Sequence, residues 1–342
     1  KNHRTSQKPS VSIDDVARKA EVSTATVSRV LANKPHVRPE MRQRVWDAVH
    51  ELNYRPNRVA QSLRSQKSKT IGVIIPDIEN PFFTSVVRAI EDVAQGDSYG
   101  VFLCNSDEDW KKEQQYINLL RDENVAGIII APTGRRNQKI YREMVSELPT
   151  VALDRHMSDV DTDIVRGENI ESAYQLVAEL IADGHTRIGL VSGLPDVTTS
   201  KERKEGYLRA LRDHDIAADA ALIVETRPKE NDGFVATSAM LALPERPTAI
   251  FAINNLLMVG AFKAIRKQGL LIPDDVALVT FDLMSLNPLI DLPIITIEQP
   301  TYELGRRAAE MLLARIGDPE QPTQREILKG RMVDMRQREG IL

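Results

Sequence analysis

The positive charge of this chain is gathered at one end, and that same end carries the apolar spacing of short helices. Residues 1–69 hold 15 Lys or Arg against 6 Asp or Glu, a net of +9. Residues 70–342 hold 30 against 43, a net of −13, so the mild overall value of −4 hides a strong polarity. A basic segment that also folds is what a duplex phosphate backbone attracts. A merely solvated arm would be poor in apolar residues. Here Ile13, Val16, Ala17, Val22, Val27, Val30, Leu31, Val45, Val49 and Leu52 recur at helical intervals.

The local signals divide this end into three helices. Ser12 is a good N-cap, followed by Asp14 and Asp15 where the helix dipole favours negative charge. A helix Ile13–Ala20 would bury Ile13, Val16 and Ala17, and Glu21-Val22 forms a tight turn. Ser23 then caps a second helix, Thr24–Ala32, whose outer face shows Thr24, Ala25, Ser28 and Arg29. A third helix, Pro39–Leu52, supplies Met41, Val45, Trp46 and Val49 to the small core. Two short helices across a tight turn, with the polar face of the second exposed, form a helix-turn-helix, whose second helix can reach base edges in the major groove.

Length and composition bound the rest. At 342 residues the chain exceeds one ordinary core, and 42% hydrophobic with 27% charged residues is a globular composition. No apolar run nears the roughly 18 residues that cross a bilayer. The opening KNHRTSQKPS lacks the apolar core of a signal peptide, so a cytoplasmic protein is expected. The single cysteine, Cys104, forms no internal disulfide and reads as a small core residue. No phosphate-binding glycine loop, G-x-S-x-G, H-E-x-x-H or zinc spacing occurs, so no cofactor, metal or catalytic residue is expected.

Beyond Ser65–Lys69 short apolar strands alternate with longer helices. Strands are expected at Thr70–Pro76, Val101–Cys104, Gly127–Ala131, Thr150–Leu153, Arg187–Ser192, Ala221–Val224, Ala249–Ala252 and Ala277–Phe281. The helices between them are expected at Thr84–Ala94, Lys111–Asp122, Gln138–Ser146, Ile170–Asp183, Lys201–His214, Gly233–Leu243 and Leu257–Gln268. The alternation predicts an α/β body of two doubly wound, parallel-sheet subdomains, with a ligand cleft at the carboxyl ends of the strands. Ile294–Gln299 and the helix Tyr302–Arg315 are expected to return to the first subdomain.

Val22-Ser23-Thr24-Ala25-Thr26-Val27-Ser28-Arg29-Val30-Leu31, then Leu52-Asn53-Tyr54-Arg55-Pro56-Asn57 and Val59-Ala60-Gln61-Ser62-Leu63-Arg64, closely resemble motifs of the lactose/galactose repressor family of bacterial transcription factors. The resemblance spans essentially the whole chain, and the body resembles periplasmic sugar-binding proteins. It departs at Glu21, where glycine is usual, and at Ala32, where many members carry Asn. It implies a sequence-specific regulator, most simply a repressor, working as a homodimer on palindromic operator DNA and modulated by a small effector in the cleft. By position, Thr24, Ala25 and Arg29 would read bases. Ser23, Thr26, Ser28, Tyr54, Asn57 and Arg58 would complete the DNA contacts, the hydroxyls and Asn57 holding phosphates. The segment 57–65 resembles the family's hinge helix, with Leu63 as a minor-groove wedge. The domains implied are a head at 1–56, hinge and linker at 57–69, and an effector-binding and dimerisation domain at 70–342. Its first subdomain would be about 70–170 with 294–328, and its second about 171–293 with 329–342.

The implied effector residues stand at strand ends: Asn80, Phe82 and Phe83, then Asp154 and Arg155, then Arg203, Asn254, Asp282 and Gln299. Paired aromatics beneath a ring with Asn, Asp, Arg and Gln around its edge suit a sugar or sugar derivative. Arg227-Pro228 replaces a third aromatic, Asn255 replaces an Asp, and Leu283 stands where a polar residue is frequent. Such an extra arginine with fewer acids suits an acidic or phosphorylated sugar. The alternatives are a purine-type effector acting as corepressor, or a sugar-modifying enzyme fused to a DNA-binding head, with Asp154 and Asp282 as its acid and base.

Overall fold

Ser12 and Asp15 cap the first helix reciprocally: the Asp15 amide donates to the Ser12 hydroxyl at 3.3 Å and the Ser12 amide to the Asp15 carboxylate at 2.9 Å. Helix α1 (Ile13–Lys19) ends where Glu21 turns left-handed at φ 52 and the Val22 amide reaches back to the Ala17 carbonyl at 3.0 Å. That closure normally selects glycine, so Glu21 sits in a costly backbone state that the surrounding turn enforces. Helices α2 (Thr24–Leu31) and α3 (Pro39–Glu51) follow. Asn53, again left-handed at φ 49, closes α3 by the same device, with the Tyr54 amide on the Val49 carbonyl at 2.9 Å. The small core joins Val16, Ala17, Ala20, Val27, Val30, Val45, Ala48 and Val49. Trp46 is not among them. It lies on the outside of α3 near His50, because the buried stripe runs through Val45, Ala48 and Val49, one turn apart.

The computed structural model describes residues 11–31, 35, 37–54, 68–134, 137–283 and 292–336. The chain divides into two units, Lys1–Ser68 and Lys69–Leu342. The second unit carries two six-stranded sheets. In chain order its first half runs β1 (Thr70–Ile75), α4 (Pro81–Gly96), β2 (Gly100–Asn105), α5 (Trp110–Asp122), β3 (Ile128–Ile130), α6 (Gln138–Glu147), β4 (Thr150–Leu153) and β5 (Asp163–Gly167). Next come α7 (Ile170–Ala182), β6 (Ile188–Ser192), α8 (Thr198–Asp213), β7 (Ile223–Glu225), α9 (Glu230–Leu241), β8 (Ala249–Ala252), α10 (Asn255–Lys267) and β9 (Ala277–Phe281). The chain ends with β10 (Ile295–Glu298), α11 (Thr301–Gly317), β11 (Arg325–Leu328) and β12 (Arg331–Asp334). One sheet is ordered β11-β5-β4-β3-β1-β2 and the other β12-β10-β9-β8-β6-β7. All pairs are parallel except β10 with β12, so the α/β, doubly wound expectation holds. The two lobes repeat one plan, with β1, β3 and β4 answered by β6, β8 and β9.

Two expectations need correction. The strand near 295 does not return to the first lobe: β10 pairs in parallel with β9, Ile295 beside Val279 and Ile297 beside Phe281. Of that pair only α11 crosses back, packing on α4, and β11 follows it into the first sheet. The free edge of β9 offers the backbone partners, and the chain changes lobe after Glu298. The segment near 221 opens as a single 3₁₀ turn, Ala220–Leu222, because Asp219 caps the Ala221 amide at 2.9 Å; the strand is its continuation. The chain passes between lobes after β5, β10 and β11, so the connection has three strands.

Helix pairs approach closely through glycine. A Cβ on Gly260 of α10 would lie 2.1 Å from the Glu230 carbonyl oxygen of α9, and one on Gly305 of α11 2.2 Å from that of Val86 on α4. Cys104 is buried, and burial pushes its thiol above the usual cysteine range, as suits an inert core residue. No helix among the described residues is long and apolar enough to cross a membrane.

Candidate functional site

The carboxyl ends of β4 and β9 carry matching residues. Asp154 and Asp282 are both buried and both left-handed, at φ 62 and 55. The Asp154 amide donates to the Val165 carbonyl at 2.8 Å, and the Asp282 amide to that of Ile297 at 2.8 Å. Each lobe thus ends its central strand in a strained turn that aims a carboxylate off the sheet. Strain of this kind at an aspartate persists only where neighbouring structure enforces it.

On the first lobe Asn80 caps α4, its Oδ1 accepting from the Phe82 amide at 3.0 Å. The cap, with Pro81 behind it, starts this helix three residues earlier than its apolar pattern indicates. Phe82 and Phe83 are buried edge to face, ring centres 4.9 Å apart. Arg155 lies 5.9 Å from the Phe83 ring centre, and its two terminal nitrogens meet Glu108 at 2.7 and 2.8 Å.

On the second lobe Arg203 of α8 donates to Asn169 Oδ1 at 2.8 Å and to the Ile253 carbonyl at 2.6 Å, and stacks 3.8 Å above the Phe281 ring. Asp282 accepts from the Gln299 amide at 3.0 Å and from its side-chain nitrogen at 2.6 Å. Gln299 stands at the β10 crossing and so belongs to the connection itself. Direct contacts join the lobes at the cleft rim. Lys229 meets Asp77 at 2.7 Å, Asn255 donates to Asn80 Oδ1 at 2.9 Å, and the His156 amide donates to the Thr198 hydroxyl at 3.3 Å.

Three buried atoms of these residues have no hydrogen-bond partner: Asp154 Oδ1, Arg155 Nε, which lies 3.8 Å from the Asp154 carboxylate, and Gln299 Oε1, which packs against Gly167. Two are acceptors and one a donor, and leaving such groups unpaired is costly unless a ligand completes them. Burial pushes the Asp154 carboxyl up to about 6, with Arg155 and Arg203 pulling it back down. Burial likewise raises Asp282, against the pull of Arg203 and the Gln299 hydrogen bonds. Burial works against the charge of Lys229, but Asp77 holds it above the usual ammonium range.

Of the nine cleft residues taken from the sequence, eight are buried at these strand ends and connections. Asn254 is the exception. Its Oδ1 is taken up capping the Leu257 amide at 2.9 Å, and its neighbour Asn255 reaches across the cleft instead. Arg227 does not enrich the cleft in positive charge: it is largely exposed and pairs with Asp232 at 3.3 Å. Glu108, Asn169 and Lys229 were not selected from the sequence. Only the acidic run Asp107-Glu108-Asp109 after β2 offers a signal for Glu108. A separate hollow of about 380 Å³ lies beside α8, but Lys204 and Arg209 on its wall are already paired, with Glu225 at 2.8 Å and Glu171 at 2.6 Å. No group of His, Cys, Asp and Glu among the described residues is arranged to hold a metal ion.

In the first unit, Ser23 caps α2 through the Thr26 amide at 3.2 Å, and the two hydroxyls meet at 2.9 Å. Ser23, Ala25 and Arg29 are exposed, Thr24, Thr26 and Ser28 half-buried, and Tyr54 packs part of its ring on the core. One face of α2 therefore presents small polar groups and one guanidinium to solvent. Asn57, Arg58, Leu63 and the rest of the segment 57–65 lie outside the described residues.

Comparison with known proteins matches the two units separately. Residues 12–57 match the family described as bacterial regulatory proteins, lacI family, and residues 68–333 that of periplasmic binding proteins and the sugar binding domain of LacI family. The HTH-type transcriptional repressor PurR of Aliivibrio salmonicida (strain LFI1238) is 34% identical over 307 residues, 90% of this chain and 92% of that protein. The ribose operon repressor of Halalkalibacterium halodurans is 36% identical over 304 residues, covering 89% and 90%. The crystal structure of the Lac repressor dimer bound to operator and the anti-inducer ONPF superposes with a TM-score of 0.83 at 26% identity, over 95% of this chain and 98% of that one.

Proposed function

Because this chain belongs to the LacI family of bacterial regulatory proteins, we propose that it represses transcription as a homodimer on a palindromic operator, and that a sugar bound between its lobes sets its grip on that DNA. The observation that carries the effector reading is the pair of strained, buried aspartates, Asp154 and Asp282, one from each lobe. Asp154 Oδ1 calls for a hydroxyl donor, while Phe82 and Phe83 supply an apolar wall for the ring. Asp154, Arg155, Arg203, Asp282 and Gln299 would hold the hydroxyls, with Asn80 and Asn255 setting closure. A ligand held by both lobes stabilises the closed arrangement by its differential affinity, which is the coupling that reaches the DNA.

The exposed face of α2, a head of net +9 and the operator-bound Lac repressor dimer support the DNA reading. Two-fold symmetry doubles the contact area and matches a palindrome. The protein would work where its DNA is, in the cytoplasm, and by binding alone. Its relatives are named repressors, and both carboxylate oxygens of Asp282 already accept from Gln299.

The test is selection of operator from random duplexes, followed by anisotropy titration with and without a panel of sugars and purines. A palindrome whose affinity shifts with a sugar supports the reading; a shift with purines alone overturns the sugar part and favours the PurR-like alternative. In the same assay Arg29→Ala is expected to cost on the order of 1–3 kcal/mol on the selected operator and to relax preference at one symmetric base position. Equal weakening on random DNA would leave Arg29 as a phosphate contact.

Asp154 gives the cleft a pH dependence. Its folded value of about 6 lies above the ordinary carboxylate value, so its contribution to stability is fully present at low pH and is lost as pH rises through about 6. Effector hydroxyls donate to the ionised form and lower that value, so binding releases a proton. Effector affinity should therefore fall as pH drops below about 6, by up to about tenfold per unit. Calorimetry in two buffers of different ionisation enthalpy reads the proton release directly. Zero release at about pH 5 would remove Asp154 from the hydroxyl contacts.

A further inference from the structure

A guanidinium at the floor of a ligand cleft is ordinarily an anion site, because its forked N–H groups match carboxylate and phosphate oxygens two at a time. Arg155 is not available in that way. Both terminal nitrogens are held by Glu108, at 2.7 and 2.8 Å, and the two side chains are only 7% and 8% exposed. One of those nitrogens also approaches the Pro132 carbonyl at 3.4 Å. Nε is buried with no hydrogen-bond partner and lies 3.8 Å from the Asp154 carboxylate. Of its five N–H groups, Glu108 takes two and the Pro132 carbonyl is approached by a third, so Arg155 offers a ligand two donors on a guanidinium whose charge Glu108 already offsets.

The chain forces Glu108 into this position. Glu108 and Asp107 are consecutive non-glycine residues in the left-handed region, at φ 57 and 53. The loop is fixed on each side: Asn105 donates to Asp107 at 2.7 Å, Lys112 pairs with Asp107, and Asp109 caps α5 through the Lys111 amide at 2.8 Å. Backbone strain held in place by its surroundings is a recurrent mark of functional positions. The charge balance follows from this clamp. Around the cleft stand the acids Asp77, Glu108, Asp154 and Asp282 against the bases Arg155, Arg203 and Lys229, and Lys229 is tied to Asp77. Without Glu108 the balance would be even and the terminal fork of Arg155 would lose the carboxylate that neutralises it.

We propose that Glu108 is a specificity-determining residue of the cleft: by occupying both terminal nitrogens of Arg155, it restricts the site to uncharged, hydroxyl-bearing ligands and turns away their phosphorylated and carboxylate counterparts. This rests on the cleft being the effector site, and it reverses the acidic-sugar expectation drawn from the sequence. Discrimination here works through repulsion and denied contacts as much as through attraction.

The test uses the full chain and Glu108→Gln, which keeps the shape and removes the charge. Thermal stabilisation by inorganic phosphate is expected for Glu108→Gln and not for the native protein, and the double variant Glu108→Gln with Arg155→Met should lose it. In calorimetry, the preference for a neutral sugar over its phosphate should shrink by about tenfold or more in Glu108→Gln. Should that variant fold poorly, Glu108→Gly relieves the left-handed backbone and removes the carboxylate, with the same outcome expected. Equal phosphate response in native and variant proteins, or a gain that survives Arg155→Met, would overturn the proposal. If no sugar binds the native protein, the effector reading fails, while the phosphate comparison still decides the role of Glu108.

Discussion

Phe281→Ala is expected to lower stability by about 3–5 kcal/mol and to abolish tight effector binding in the same step. The ring is fully buried at the carboxyl end of β9, stacked 6.1 Å from Phe251, with the Arg203 guanidinium 3.8 Å above its centre. Truncation leaves a cavity under the sheet and removes the platform on which Arg203 lies. It also loosens the turn at Asp282, the next residue, whose φ of 55 depends on a firm neighbour. Phe281→Leu keeps most of the volume and should cost less than about 1.5 kcal/mol, while still weakening Arg203 placement. Urea unfolding gives the stability loss and calorimetry the affinity. Identical losses for the two variants would show that the ring carries neither the packing nor the arginine.

The second large effect is expected at Asp163→Ala, about 3–5 kcal/mol. The Asp163 side chain is completely buried at the start of β5 and accepts from Arg315 at 2.8 and 2.9 Å and from the Gln324 amide at 2.7 Å. It fastens the end of α11 to the first sheet and guides the chain into β11. Its removal leaves a nearly buried guanidinium, 14% exposed, without its counter-charge. Most of the cost is that stranded charge, so adding Arg315→Met should recover part of it. The cycle is read by denaturant midpoints, and hydrogen exchange should show β11 loosening first. A double variant no more stable than Asp163→Ala would mean that the lost amide contact, not the charge, dominates.

Local signals carry far in this protein wherever the determinant is local. Ser12, Asp15 and Ser23 cap the head helices by reaching three residues along the chain, and such contacts are written in adjacent letters. The strands Thr150–Leu153, Ala249–Ala252 and Ala277–Phe281 are largely apolar and buried along their whole length, so pattern and length suffice to bound them. Their ends in turn mark Asp154 and Asp282 as the residues leaving the sheet.

Edge strands resist such reading. Arg325–Leu328 and Arg331–Asp334 are short and rich in charge, and they become strands only because a neighbouring edge offers hydrogen bonds. The same rule places Ile295–Glu298 beside β9 rather than in the first lobe: a strand goes where an unpaired edge lies, and no run of residues encodes that. Trp46 faces outward for a related reason, since Ala48 rather than a larger residue completes a core whose size is fixed by three helices meeting.

The sequence by itself determined a basic helix-turn-helix head, an alternating α/β body and the chemistry available at its strand ends, because charge, caps and apolar runs act over a few residues. The tertiary structure alone decided how that chemistry is used. Glu108 meets Arg155 across 47 positions of chain, Lys229 meets Asp77 across 152, and Asn255 meets Asn80 across 175. Arg155, which reads from sequence only as one polar group at a strand end, has its charge offset once a distant carboxylate is buried against it, because in a region shielded from water the nearest opposite charge governs what a guanidinium can bind.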